Sequence, residues 1–227
     1  MSLTITYYGH SVFALEGDGV TLLIDPFFTD NPMTTASADE INPDYILLTH
    51  GHFDHVGDAV AIARRTGATV VANFEIAGWL GKQGVENVHP MHIGGGWNFP
   101  FGRVKMTIAH HGSGLADGTY GGNPAGYLIN LAGKKVYISG DTALTYDMKL
   151  LAAAGVDVAI LCIGDNFTMG PDDAITAVTF IEPKLVVPCH YGTWPFIDVD
   201  PNAFADRVRT ETTAECVVLH SGESLMR

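Results

Sequence analysis

Cationic side chains are scarce in this sequence. Twelve Lys and Arg stand against 25 Asp and Glu in 227 residues, a formal net charge of −13. Nucleic-acid and anionic-lipid binders rely on clustered Lys and Arg, so this balance argues against both partners. Cysteine is scarce as well. Cys162, Cys189 and Cys216 form an odd, widely spaced set with no Cys-x-x-Cys pair, which gives no disulfide framework. They are expected to be buried free thiols in a reducing, cytoplasmic setting. No apolar run approaches the ~18–20 residues of a membrane span. The first eight residues lack the basic and apolar regions of a secretory signal. Repeats, low-complexity tracts and linkers are missing too, and the length fits a single domain over residues 1–227. Against these absences stands one excess, ten histidines.

The hydrophobic pattern begins as a meander. Segments 3–8, 12–15 and 20–24 read as short strands, with Glu16-Gly17-Asp18-Gly19 turning the last pair. Residues 27–42 lack periodicity and read as a loop. Tyr45 to Thr49 is continuously apolar, as in a strand buried on both faces. The period then becomes helical from Val56 to Thr66, with Gly67 as the stop. Further strands are expected at 69–72, 104–109, 125–131, 135–139, 156–162, 185–189 and 216–219. Helices are expected after Asn73, after Thr145 up to Ala154, from Pro171 to Ile181, and from Pro201 to about Arg209. The fold class is α/β, with sheets covered by helices on their outer faces. Periodicity leaves the strand order open.

Three of the ten histidines form a pattern. His50-Gly51-His52-Phe53-Asp54-His55 directly follows the strand ending at Thr49. Extended backbone has a period of two, so His50 and His52 point to the same side. Asp54 and His55 fall where the chain enters a helix, a favourable place for a carboxylate. Four ligand-type side chains within six residues suit metals bound by imidazole and carboxylate, and they can serve two ions better than one. Other candidates also end strand-like runs: Asp25, His110-His111, Gly140-Asp141-Thr142 and His190. His10, after Gly9, is either near the same rim, as a proton carrier to the leaving group, or structural. His89, His92 and His220 have no ligand partner at suggestive spacing.

The His-x-His-x-Asp-His motif, the early Asp25, the Gly140-Asp141-Thr142 element and the final His190 resemble the metallo-β-lactamase superfamily. Tyr8-Gly9-His10-Ser11, Asn73-Phe74-Glu75, 118–124, Asn166 to Pro171 and His190-Tyr191 are similar to its small metal-dependent hydrolases, relatives of the ascorbate-6-phosphate lactonase type. The resemblance implies a four-layer αββα sandwich with two divalent metal ions at one edge. It assigns one ion to His50, His52 and His111 and the second to Asp54, His55 and His190, with Asp141 bridging. Asp25 would orient a ligating imidazole or simply form a turn before Pro26. His110 would be partly buried or would support the ligands. Two metals sharing a water can generate a hydroxide nucleophile at neutral pH. The function expected is a binuclear metal-dependent hydrolase acting on a small ester, lactone or phosphoester, with Asp54 and His10 as catalytic residues. Zinc is the first choice of metal, with manganese, iron or nickel as alternatives. A nuclease or phosphodiesterase of the same superfamily and a non-catalytic metal-binding protein are the competing readings. The expected partner is a small molecule, with no nucleic acid and no membrane. A homo-oligomer is compatible with the resemblance. Segments 165–168 and 191–194 are candidate pocket walls.

Overall fold

The computed structural model describes residues 2–227. Two seven-stranded mixed sheets face each other. The first sheet contains β1 (Thr4–Tyr7), β2 (Phe13–Gly17), β3 (Val20–Ile24), β4 (Tyr45–Leu47), β5 (Thr69–Asn73) and β6 (Val88–Met91), closed by β14 (Ser224–Met226) beside β1. The second contains β7 (Gly96–Phe99), β8 (Gly102–Ile108), β9 (Ala125–Leu131), β10 (Lys134–Ile138), β11 (Val158–Cys162), β12 (Leu185–Cys189) and β13 (Glu215–Cys216), in that order. Helices α1 (Phe53–Val56), α2 (Ala59–Thr66) and α3 (Phe74–Lys82) belong to the first half, and α4 (Pro171–Ile181) and α5 (Pro201–Glu211) to the second. This is the expected αββα sandwich.

Two-sided burial explains the apolar strands. Leu22, Ile24 and Leu47 join the core between the sheets, while Leu23, Ile46 and Leu48 pack under the helical layer with Ile62, Ile76 and Leu80. Burying an aliphatic side chain of this size contributes about 1.5–3 kcal/mol. On the other side, Ala174, Val178, Phe204 and Val208 of α4 and α5 join the second sheet's core. Asn73 caps α3 by accepting the Ile76 N–H at 2.9 Å.

Several expectations need correction. The single helix from Val56 is broken at Gly57-Asp58 into α1 and α2. The carboxylate of Asp58 is turned away to accept the N–H groups of Phe28 and Thr29 and the Thr29 hydroxyl. The segment after Thr145 is a 3₁₀ helix, Tyr146–Ala154. Its buried residues, Met148 and Leu151, are three apart and share one face at three residues per turn. The strand expected at 216–219 spans only Glu215–Cys216, after which the chain crosses to the first sheet as β14. Strands β6, β7 and β14, at the edges of their sheets, carry no apolar pattern because Met91 and Phe99 are their only buried residues. Pro90 is tolerated in β6 because this strand pairs on one side only. Cys162, Cys189 and Cys216 are buried free thiols, as expected.

Strand direction positions the site. β3, β4 and β5 run parallel, and so do β10, β11 and β12. β1 is separated from β3 by one antiparallel strand, and β8 from β10 by another. All of these strands therefore finish on the same edge of the sandwich, the edge at which α/β sheets hold ligands.

Candidate metal centre

Six of the strands that end on this edge deliver a polar side chain to one place. β1 leads to His10, β3 to Asp25, β4 to His50, β8 to His111, β10 to Asp141 and β12 to His190. The turns are tight. His10, Asp25 and His190 are in the left-handed region at φ +57°, +44° and +55°, and Gly140, before Asp141, is at +59°. Such conformations store strain and persist only where the surroundings hold them. Here the His190 N–H donates to the His10 carbonyl at 2.8 Å, locking two of these turns together.

Two donor clusters result. His50, His52 and His111 form one, and Asp54, His55 and His190 form another with His10 beside it. Asp141 lies between them. Its Oδ2 is 2.9 Å from His190 Nε2, 3.4 Å from His55 Nε2, 3.5 Å from His111 Nε2 and 3.9 Å from His50 Nε2. Asp54 Oδ2 is 3.8 Å from both His55 Nε2 and His190 Nε2.

These residues fit divalent cations. Donors around a tetrahedral ion with bonds of about 2.0–2.1 Å sit about 3.3 Å apart, within the spread observed. His55 Nε2 and Asp141 Oδ1 are buried with no hydrogen-bond partner, a costly state for lone pairs that an ion relieves. The donor set is imidazole and carboxylate without thiolate, which suits zinc, manganese, iron or nickel.

A ring of hydrogen bonds fixes the imidazoles. Asp25 Oδ2 accepts from His55 Nδ1 at 2.8 Å and from the Thr49 hydroxyl at 2.6 Å, while Oδ1 accepts the Thr49 N–H. Since Thr49 donates to Asp25, its oxygen accepts from His50 Nδ1 at 3.0 Å. Both rings thus turn Nε2 inward toward the donor clusters, the arrangement that orients metal-binding histidines. His10 is fully buried. Its Nε2 bonds Asp54 Oδ2 at 3.0 Å and its Nδ1 bonds Thr193 Oγ1 at 2.7 Å.

Electrostatics follow from this crowding. Burial lowers the His10 pKa to about 4, so the ring is neutral at pH 7 and donates from Nε2 to Asp54. Burial also lowers that of His50. For His190, burial is outweighed by Asp141, and the pKa is pushed up to about 9. His55 is raised in the same way by Asp141, Asp25 and Asp54. Asp54 is held well below the usual carboxylate range, since the neighbouring imidazoles outweigh its burial.

The structure thus brings together His50, His52, Asp54, His55, His111, Asp141 and His190, with His10 and Asp25 directly behind them. His110 departs from expectation: it is exposed, because adjacent residues of an extended chain face opposite sides. His92 and His220 are exposed and His89 packs on Trp97 and Phe99, all outside the site. Three supporting residues were missed in the sequence. Thr49 relays between His50 and Asp25, Thr193 holds His10, and the Ser113 hydroxyl accepts the Gly51 N–H at 3.0 Å. Thr49 carried a signal in its position just before the histidine motif, and Thr193 lies in the 191–194 segment expected as a pocket wall, although its bond to His10 was not foreseen.

Fold and site together define a binuclear metal-dependent hydrolase of the metallo-β-lactamase type. A beta-lactamase superfamily domain model matches residues 21–191. The chain belongs to the UPF0173 metal-dependent hydrolase branch of this superfamily. It is similar to the UPF0173 metal-dependent hydrolase of Shouchella clausii, with 52% identity over 98% of this chain and 99% of the relative. It is also similar to that of Heliobacterium modesticaldum, with 48% identity over 98% and 97%. Among solved structures, a metallo hydrolase from the hyperthermophilic archaeon Ignicoccus hospitalis superposes with a TM-score of 0.92 at 35% identity, covering 100% of this chain and 99% of that one.

Proposed function

We propose that the chain hydrolyses a small ester, lactone or phosphoester, with one cation held by His50, His52 and His111, the other by Asp54, His55 and His190, and Asp141 shared. The observation that carries this reading is the position of Asp141 Oδ2 between imidazoles of both clusters. Bound divalent cations supply an activated water and polarise the scissile group. The chain's own residues do the rest. Asp25 and Thr49 keep His55 and His50 in the ligating tautomer. Asp54, held ionised by the neighbouring imidazoles, would accept a hydrogen bond from the attacking water and orient it. His10, fully buried with both ring nitrogens engaged, holds Asp54 in line, and its burial favours this role over protonation of a leaving group. No side-chain nucleophile is needed; Cys189, beside His190, is buried with its thiol pKa raised by desolvation.

Zinc is the metal we assign first, on the imidazole-rich donor set. The likeness of Asn166 to Pro171 and of His190-Tyr191 to ascorbate-6-phosphate lactonase relatives supports a lactone substrate. The net charge of −13 supports a small-molecule partner over nucleic acid. Among the described residues no helix is long and apolar enough to cross a membrane, and we place the protein in the cytoplasm as one hydrolase domain over residues 1–227. Elemental analysis, followed by turnover of lactones, thioesters, phosphodiesters and β-lactams with each metal, tests the reading. Close to two ions per chain and one substrate class at least tenfold above the rest are expected. Fewer than one ion after metal resupply overturns it.

A further inference from the structure

None of the 12 Lys and Arg residues lies in segments 25–37, 49–58, 109–124, 139–147, 163–170 or 190–200, the loops at the metal-bearing edge. The only basic groups there are imidazoles. Asp165 and Asp198 are exposed on two of these loops. These segments offer a remote phosphate or carboxylate no guanidinium or ammonium of their own, although Arg is the residue that matches such groups; Lys149, two residues past one of them, has its ammonium on the Tyr146 hydroxyl at 3.0 Å and over the Tyr146 and Phe180 rings.

Exposed aromatic rings stand in their place. Phe53, between His52 and Asp54, is 57% exposed. The half-buried ring of Trp194 lies 5.0 Å from His10 and 6.0 Å from Phe53. Phe167 and Phe196 are 51% and 73% exposed, with ring centroids 6.3 Å apart. Their loops are tied to the site. The Met169 N–H, two residues after Phe167, donates to the Thr142 carbonyl beside Asp141. Thr193, three residues before Phe196, holds His10. Both loops are thus anchored to residues at the site and carry exposed rings, and clustered exposed apolar surface marks a binding site.

We propose that Phe53, Phe167, Trp194 and Phe196 form a specificity surface that grips an uncharged apolar acyl or aryl group on the substrate, next to the bond being cleaved. This rests on the hydrolase reading above and narrows it. The favoured substrates are neutral esters or lactones with an apolar tail, and substrates with a remote phosphate are disfavoured.

The test uses the full metal-loaded chain and nitrophenyl esters of acetate, butyrate and hexanoate, with a chain-matched ester ending in a phosphonate. Each added methylene should raise kcat/KM about fourfold, the factor for burying one such group. The phosphonate ester should fall at least tenfold below hexanoate. Phe196→Ala and Phe167→Ala should flatten the chain-length trend, mainly through KM, and Phe196→Arg should narrow the discrimination against phosphonate. Trp97→Ala, an exposed aromatic beside Val104 and remote from the rim, should leave both trends as in the parent. Turnover with no chain-length trend, or better turnover of the phosphonate, overturns the proposal and leaves the hydrolase reading standing. No turnover on any substrate, with hexanoyl anilide still bound in calorimetry by the parent and lost in Phe196→Ala, overturns the hydrolase reading and keeps the surface. Absence of both turnover and anilide binding overturns both. Self-association that Phe196→Ala abolishes, with the chain-length trend intact, assigns the rings to a contact between copies and overturns the proposal.

Discussion

Oδ2 of Asp25 accepts a hydrogen bond from Nδ1 of His55 across 2.8 Å, and the same oxygen takes the Thr49 hydroxyl that in turn supports His50. One buried carboxylate therefore sets the direction of an imidazole in each cluster. Removing it should disturb both ions, although Asp25 itself need touch neither.

Asp25→Asn keeps the shape but replaces one accepting oxygen by an N–H donor, so His55 Nδ1, the Thr49 hydroxyl and the Thr49 N–H can no longer all be accepted. Metal affinity should fall about 10–100-fold, as it does when partners of metal-bound imidazoles are removed. Competition with a chromophoric chelator reads it. An unchanged affinity would show that the imidazoles orient without Asp25.

Metal removal should destabilise the fold, because Asp54, Asp141, His55 and His190 are buried together. At free metal 100–1,000 times its dissociation constant, the bound form gains about 2.7–4.1 kcal/mol. Thermal melts before and after chelation check this; a melting temperature that ignores the chelator contradicts it.

The metal-free protein should lose stability in alkali. His190 has its pKa raised to about 9 from an ordinary 6.5, since Asp141 outweighs burial. A raised basic group contributes stability that is fully present below about pH 6.5 and lost as pH climbs through 9. Metal must displace that proton, so affinity should strengthen over the same window with proton release. Calorimetry in buffers of different ionisation enthalpy measures it. A flat affinity from pH 6 to 9 would sink the idea.

Gly140→Ala should be costly. The residue sits at φ +59°, and a Cβ there would lie 2.7 Å from the Ala125 carbonyl oxygen and 2.9 Å from Thr49 Cβ. Strain of this kind costs about 1–3 kcal/mol, and the shift should move Asp141 and reduce metal occupancy. Urea unfolding with elemental analysis reads both effects.

The three thiols should be inert in the folded state. All are buried, and desolvation pushes Cys216 up to about 12. An aromatic disulfide reagent should titrate them only after unfolding; fast reaction of the native protein would refute their burial.

Local patterns carried much of this protein. The apolar run at Tyr45, the cap at Asn73 and the Pro171 start of α4 each report burial or capping within one turn, so the sequence shows them directly. The histidine motif is local for the same reason, with His50 to His55 on one strand-to-helix turn. The bounds that failed were those settled by distant partners. Asp58 breaks its helix because it bonds a loop about thirty residues earlier. Edge strands β6, β7 and β14 lack a burial signature.

By itself, then, the sequence determined which residues could bind metal and which segments could be buried. Tertiary structure decided that they meet. His10 and Thr193 are separated by 183 residues along the chain yet lie 2.7 Å apart. The alternation of strand direction, not spacing, brings β1, β8 and β12 to one edge. The loops that end there carry Phe53, Phe167, Trp194 and Phe196 and no Lys or Arg of their own, a relation that becomes visible only once the strand ends are known to share one edge.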